Sequence, residues 1–242
     1  MSRPDVRRIA IVGLYLAAAL ALAVAPLLMP PAYSWLEHTT SESAAQGLDG
    51  AWLARTGFVL FGFAVLATTL SAASWSVAAR VAHATFGVCM VAAAVFSSRP
   101  ADAGVPFVAT EDTLHSVAAS VMGVAFALGV VLVAVGRGRV AWPAITIDAI
   151  AVIASVAIPL AMLAWDDWAG LAQRLMFAVA FTWYIAATLS RARRPAAFDG
   201  AREATGRAPG ARPVARSFPP RGRSQPQVPP GPGARHRARA AN

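Results

Sequence analysis

A chain of 242 residues that is 57% hydrophobic and only 14% charged is not an ordinary soluble domain, which carries about a quarter charged residues. Its formal charge of +9 suggests nucleic acid only until it is located. Residues 190–242 hold twelve arginines against Asp199 and Glu203, while the other 189 residues hold nine arginines and ten acids, so the basic character belongs to the tail and not to the folded body.

Helices that cross a membrane need about 20 mostly apolar residues, and such runs recur along the chain. The first covers about 9–29, behind Arg7 and Arg8. Its length favours a retained helix, since signal-peptide cores are typically about 7–15 residues. The next segment reads Tyr33-Ser34-Trp35-Leu36-Glu37-His38-Thr39-Thr40-Ser41-Glu42; if helical, His38, Ser41 and Glu42 share a face at i, i+3 and i+4. Spans at about 56–76 and 80–98 follow, with Arg55 and Arg80 as boundaries. The third span holds His83 and the single cysteine, Cys89, which has no internal disulfide partner and reads as a small buried hydrophobe. Before the fourth span, at about 114–136, Glu111-Asp112-Thr113-Leu114-His115 puts Asp112 and His115 on one face. Ala119, Gly123 and Ala127 then form a small-residue stripe that permits close helix contact.

The fifth span, about 142–164, is interrupted by Asp148, roughly 9 Å along the helix from Trp142. An intramembrane acid is a functional hypothesis by default, such as a proton relay; a pair with Arg80 or a water-filled vestibule explains it equally well. The clean run Leu175–Ser190 is short, so the sixth span, about 168–190, brings Gln173 and Arg174 to the membrane boundary. From Arg191 the apolar periodicity stops. Nine prolines and six glycines in the tail leave too little apolar surface to offset the entropy of ordering, which predicts a disordered segment. Its arginines suit anionic lipid headgroups, and only Phe218 is available to stack bases, which argues against nucleic acid.

Nine arginines fall near one set of helix ends and three (Arg55, Arg99 and Arg174) near the other. The positive-inside rule then puts both termini in the cytoplasm. Eight of the twelve acids lie in the outer loops, and most tryptophans lie near helix ends, as an interfacial belt requires. The absence of lysine and the abundance of Ala, Arg, Gly and Pro fit a GC-rich bacterial genome.

The expected architecture is an all-α, six-helix transmembrane bundle over residues 5–190, set in a plasma membrane, with a basic tail over 191–242. The outer polar residues His38, Ser41, Glu42, Asp112, His115, Gln173 and Arg174 admit three readings. One is a site for a small ligand or lipid headgroup. Another is a membrane hydrolase using Ser41 with a histidine base, with or without a metal, although no close-spaced metal motif is present. The third is a capping network in a structural or partner-binding protein, with Arg174 neutralising Glu42 or Asp166. No metal or cofactor is assigned; a haem between His83 and His115 conflicts with their opposite membrane sides. Substrate, catalysis and oligomeric state are not set by the sequence.

Several segments carry a resemblance. Tyr33-Ser34-Trp35 through His38 and Ser41-Glu42, then Ala51-Trp52-Leu53 leading to Gly57-Phe58 and Gly62, resembles the first outer loop and second helix of domain-of-unknown-function family 998. Leu114-His115-Ser116-Val117-Ala118-Ala119 is similar to its fourth helix start, and Gly170-Leu171-Ala172-Gln173-Arg174-Leu175 to its sixth. The resemblance covers about residues 5–190 and implies a six-helix bacterial membrane protein without an assigned reaction. It marks Ser41, Glu42, His115, Gln173 and Arg174; His38 and Asp112 rest on local spacing only.

Overall fold

The computed structural model of the chain describes residues 3–137 and 142–190, which belong to the first of its two units, residues 1–194. The expected disordered tail at 191–242 lies outside the described residues. Six α-helices account for the fold, with no strand among the described residues: α1 (Arg3–Val24), α2 (Ala51–Ser71), α3 (Val77–Val95), α4 (Ala109–Gly136), α5 (Trp142–Ala164) and α6 (Ala169–Ser190).

Local chemistry sets the helix ends. After α1 a 3-10 turn at Ala25–Leu28 carries Pro26, and Met29, which precedes Pro30, is extended at φ −83° and ψ 158°, as a residue before proline prefers. The segment 72–76, expected as the end of the second span, is instead a turn. Ser76 caps α3 there, its hydroxyl accepting the Ala79 amide at 3.2 Å. Helix α4 starts five residues earlier than expected, with Glu111 and Asp112 in its first turn, where carboxylates suit the positive helix end.

Successive helices pack on one another, and α6 returns against α1 and α2 to close the bundle. The centre is aromatic. Phe61 of α2 stacks on Phe181 of α6 with centroids 4.1 Å apart, and Tyr15, Phe86, Phe126 and Tyr184 pack around them. Polar groups inside this core pair with one another: Tyr15 hydroxyl with Thr68 at 2.8 Å, Thr68 with Thr188 at 3.2 Å, and His83 Nδ1 with the Tyr184 hydroxyl at 2.9 Å. Large apolar side chains such as Leu16, Leu20, Phe63, Val88, Val124 and Ile153 point away from the bundle. Such exposure suits hydrocarbon rather than water.

Five helices are long and apolar enough to cross a membrane: α1 with its 3-10 extension, and α2 to α5. At 22 residues, α6 has the length; its composition holds it below that standard, with Gln173 and Arg174 near its start. The loops 29–50 and 96–108 and the α5–α6 junction share one end of the bundle, here called the loop end. The 72–76 turn and the start of α1 lie at the other, the turn end.

Candidate functional site

At the loop end the polar residues sort into two connected groups. The first is built around Arg174, in the second turn of α6. Its Nη1 donates to the carbonyls of Trp35, His38 and Gly170, each at 2.9 Å, and its Nη2 donates to the Tyr33 hydroxyl at 2.8 Å. The guanidinium carbon sits 4.8 Å over the Trp35 ring, a cation–π arrangement. Among the described residues no carboxylate lies within ion-pair distance of Arg174, so the expected neutralisation by Glu42 or Asp166 is not made. Its Nε is buried and makes no hydrogen bond.

The 30–50 loop folds onto this cation by its own chemistry. Thr39 and Glu42 form a capping box: the Glu42 carboxylate accepts from the Thr39 amide at 2.5 Å and hydroxyl at 2.9 Å, and the Glu42 amide donates to Thr39 Oγ1 at 3.2 Å. His38 Nδ1 accepts the Ser34 amide at 2.8 Å, and its ring stacks on Tyr33. The single helical face expected for His38, Ser41 and Glu42 is absent. The box starts at Thr39, so His38 precedes it, and the helix that follows is only the 3-10 turn Glu42–Ala44. Gln173 reaches the same loop, its Oε1 accepting the Ser41 amide at 3.2 Å.

The second group joins α3 to α4. His115 Nδ1 lies 3.0 Å from the Ala93 carbonyl and 2.9 Å from that of Phe96. Both partners are acceptors, so Nδ1 carries the proton and closes the end of α3. Asp112 accepts the Arg99 amide at 2.9 Å. Ser98 Oγ donates to the Ser41 carbonyl at 3.0 Å and so links the two groups, beside the contacts that Gln46 of the same loop makes. The structure therefore brings His38, Ser41, Glu42, Gln173 and Arg174 together and places Asp112 and His115 apart from them.

Tyr33, Gly170 and Gln46 are participants that sequence reasoning missed. Gln46 ties the loops together through Ser97, Ser98 and Val108. The Thr39-x-x-Glu42 spacing was the one readable signal for this local fold. Burial pushes the Tyr33 phenol up from its ordinary value near 10, against the opposing Arg174 guanidinium. A group whose folded pKa is raised contributes stability below its unfolded value and loses it as pH rises through the folded one. The loop should therefore stay fastened up to about pH 10 and loosen above it, whereas Tyr33→Phe should flatten that alkaline limb in a thermal-unfolding series.

The catalytic arrangement is incomplete. Neither imidazole hydrogen-bonds the Ser41 hydroxyl, which makes no hydrogen bond at all among the described residues, so a nucleophile–base pair is not formed. No group of three or more His, Cys, Asp or Glu among the described residues could hold a metal ion.

A second polar centre lies inside the bundle near the turn end. Asp148, 7% exposed, accepts from Trp183 Nε1 at 2.8 Å and pairs with Arg137 Nη1 at 2.5 Å. Arg80, one of the partners considered for it from sequence, is instead exposed in the first turn of α3.

Comparisons place the chain among known sequences but not among known activities. A family model described as "Protein of unknown function (DUF998)" matches residues 9–190. No curated protein and no solved structure matches the chain.

Proposed function

Because the chain belongs to this family of membrane proteins of unknown function, we propose a role drawn from its own geometry: a multi-pass protein of a bacterial plasma membrane that holds the phosphate of a lipid headgroup, or of a small phosphorylated ligand, at Arg174. The arginine distribution supports cytoplasmic termini and an outward-facing loop end. The observation that carries the reading is the Nε edge of Arg174: among the described residues, a buried donor without an acceptor, on a cation without a carboxylate partner. Buried unsatisfied donors are rare and call for a missing acceptor, and a guanidinium edge is shaped for an oxyanion. Trp35 beneath it is 46% exposed, and tryptophan favours the headgroup region of a bilayer. The exposed loop-end acids Glu37, Asp166 and Asp167 favour a headgroup that carries its own ammonium, such as phosphoethanolamine.

The test is phospholipid retention by the purified protein in detergent, read by native mass spectrometry. Wild type should retain phosphatidylethanolamine in preference to phosphatidylglycerol. Arg174→Lys should bind about tenfold more weakly, the loss of about 1.4 kcal/mol expected when a bidentate donor becomes a point charge. Trp35→Ala, which keeps every backbone hydrogen bond of the loop, should also weaken retention. Competition by soluble phosphoethanolamine would identify a free ligand rather than a lipid. Equal retention by wild type and both variants would leave the loop end as a fastened cap and no more.

A further inference from the structure

We infer that α5 is a releasable helix, docked on the bundle chiefly by the carboxylate of Asp148. Only 11% of its span is buried, against 33–50% for the other four candidate spans. Asp148 and Ala151 are its only buried residues. Ile145, Ile150, Ile153, Val156, Leu160 and Leu163 all face outward.

In lipid this distribution decides what holds the helix. Apolar side chains gain almost nothing by leaving acyl chains for a protein surface, because lipid tails are as apolar as leucine. Docking must then come from close packing and from polar contacts. Packing comes from Ala151 and from the half-buried Ile147 and Val152, and Asp148 adds two polar contacts to two different helices: the Trp183 indole of α6 at 2.8 Å and the Arg137 guanidinium at the end of α4 at 2.5 Å. Removing one partner of a buried ion pair leaves the other charge uncompensated, which is strongly destabilising.

The two ends of α5 differ accordingly. Asp148 fastens the half near the turn end. Pro159, eleven residues further on, lies inside the helix and deprives it of one backbone hydrogen bond. Among the described residues, the half nearer the loop end has no buried side chain to match it. The seat of the fastening is rigid, since Trp183 stacks on His83 at 4.9 Å, and His83 bonds the Tyr184 hydroxyl. Movement therefore belongs to α5, and the fully packed core stays behind.

The experiment uses the full chain in nanodiscs with Cys89→Ser and spin labels on introduced cysteines. One pair joins α5 to α2, through Ile153→Cys and Phe63→Cys; a second joins α4 to α2, through Val124→Cys and Phe63→Cys. All three positions are exposed. The parent should give a narrow distance distribution for both pairs. Asp148→Asn, which keeps size and an acceptor oxygen, and Arg137→Gln should each broaden the α5–α2 distribution and shift it to longer distance. The α4–α2 distribution should stay narrow. An unchanged α5–α2 distribution in both variants overturns the proposal, and so does broadening of both pairs together, because α5 would then not be a separately releasable element.

Discussion

Replacing Gly170 by alanine is expected to unfasten the 30–50 loop from α6 and to lower stability by about 3 kcal/mol or more. A Cβ at this position would run into the His38 carbonyl, and would lie 2.7 Å from the Leu36 carbonyl oxygen and 2.8 Å from that of Trp35. All three are backbone atoms, so no side-chain rotation relieves the overlap. The same carbonyls are already engaged: Leu36 accepts the Leu171 amide at 3.0 Å, and Trp35 and His38 accept from Arg174. A shift large enough to admit one methyl group breaks these hydrogen bonds together. The sign of the effect makes the test sharp. In an open helix, Gly→Ala stabilises by about 1 kcal/mol, so a stabilised Gly170→Ala protein would mean that the close approach does not exist. Thermal unfolding in detergent gives the magnitude. Limited proteolysis gives the location, with cleavage expected within 30–50 and not in the helices.

The bundle was legible because bilayer thickness imposes a length on apolar runs; five full-length runs stand out, and the shorter Leu175–Ser190 run marks the sixth helix. Their ends were less legible. Arg55 was read as the boundary of the second span, yet it lies inside α2 and turns back to the Ala44 and Ala45 carbonyls at 3.0 and 2.9 Å. The same difficulty governs the candidate site. Arg174 is bound mainly by backbone carbonyls, and a carbonyl carries no residue identity that a sequence can display. For Asp148 the information was present but unused. The end of α4 and the start of α5 meet at the turn end, so Arg137, eleven positions away in sequence, is nearer than Arg80 in an antiparallel bundle of sequential neighbours. Chain order, more than charge type, predicts that partner.

Helix contacts give the second large effect, and here the sequence pointed to the wrong glycine. The stripe Ala119, Gly123, Ala127 suggests a close approach on α4, but a Cβ added at Gly123 meets nothing within 4 Å. A close backbone contact lies instead between α2 and α3. A Cβ at Gly62 would lie 2.7 Å from the Gly87 carbonyl oxygen and 2.7 Å from Val91 Cγ2, whereas one at Gly87 would meet Leu66 Cγ at 2.9 Å and the Gly62 carbonyl oxygen at 3.0 Å. Gly62 faces backbone at short range, while Gly87 chiefly faces a leucine that can change rotamer. Overpacking costs about 1–3 kcal/mol, so Gly62→Ala should be clearly destabilising, Gly87→Ala less so, and Gly123→Ala neutral or slightly stabilising through helix propensity. The Gly62 effect should also travel. Its neighbour Phe61 stacks on Phe181 of α6, so α2 cannot move off α3 without disturbing the aromatic centre. Thermal unfolding of the three variants in one detergent decides the matter: equal midpoints for Gly62→Ala and Gly123→Ala would place the close contact elsewhere.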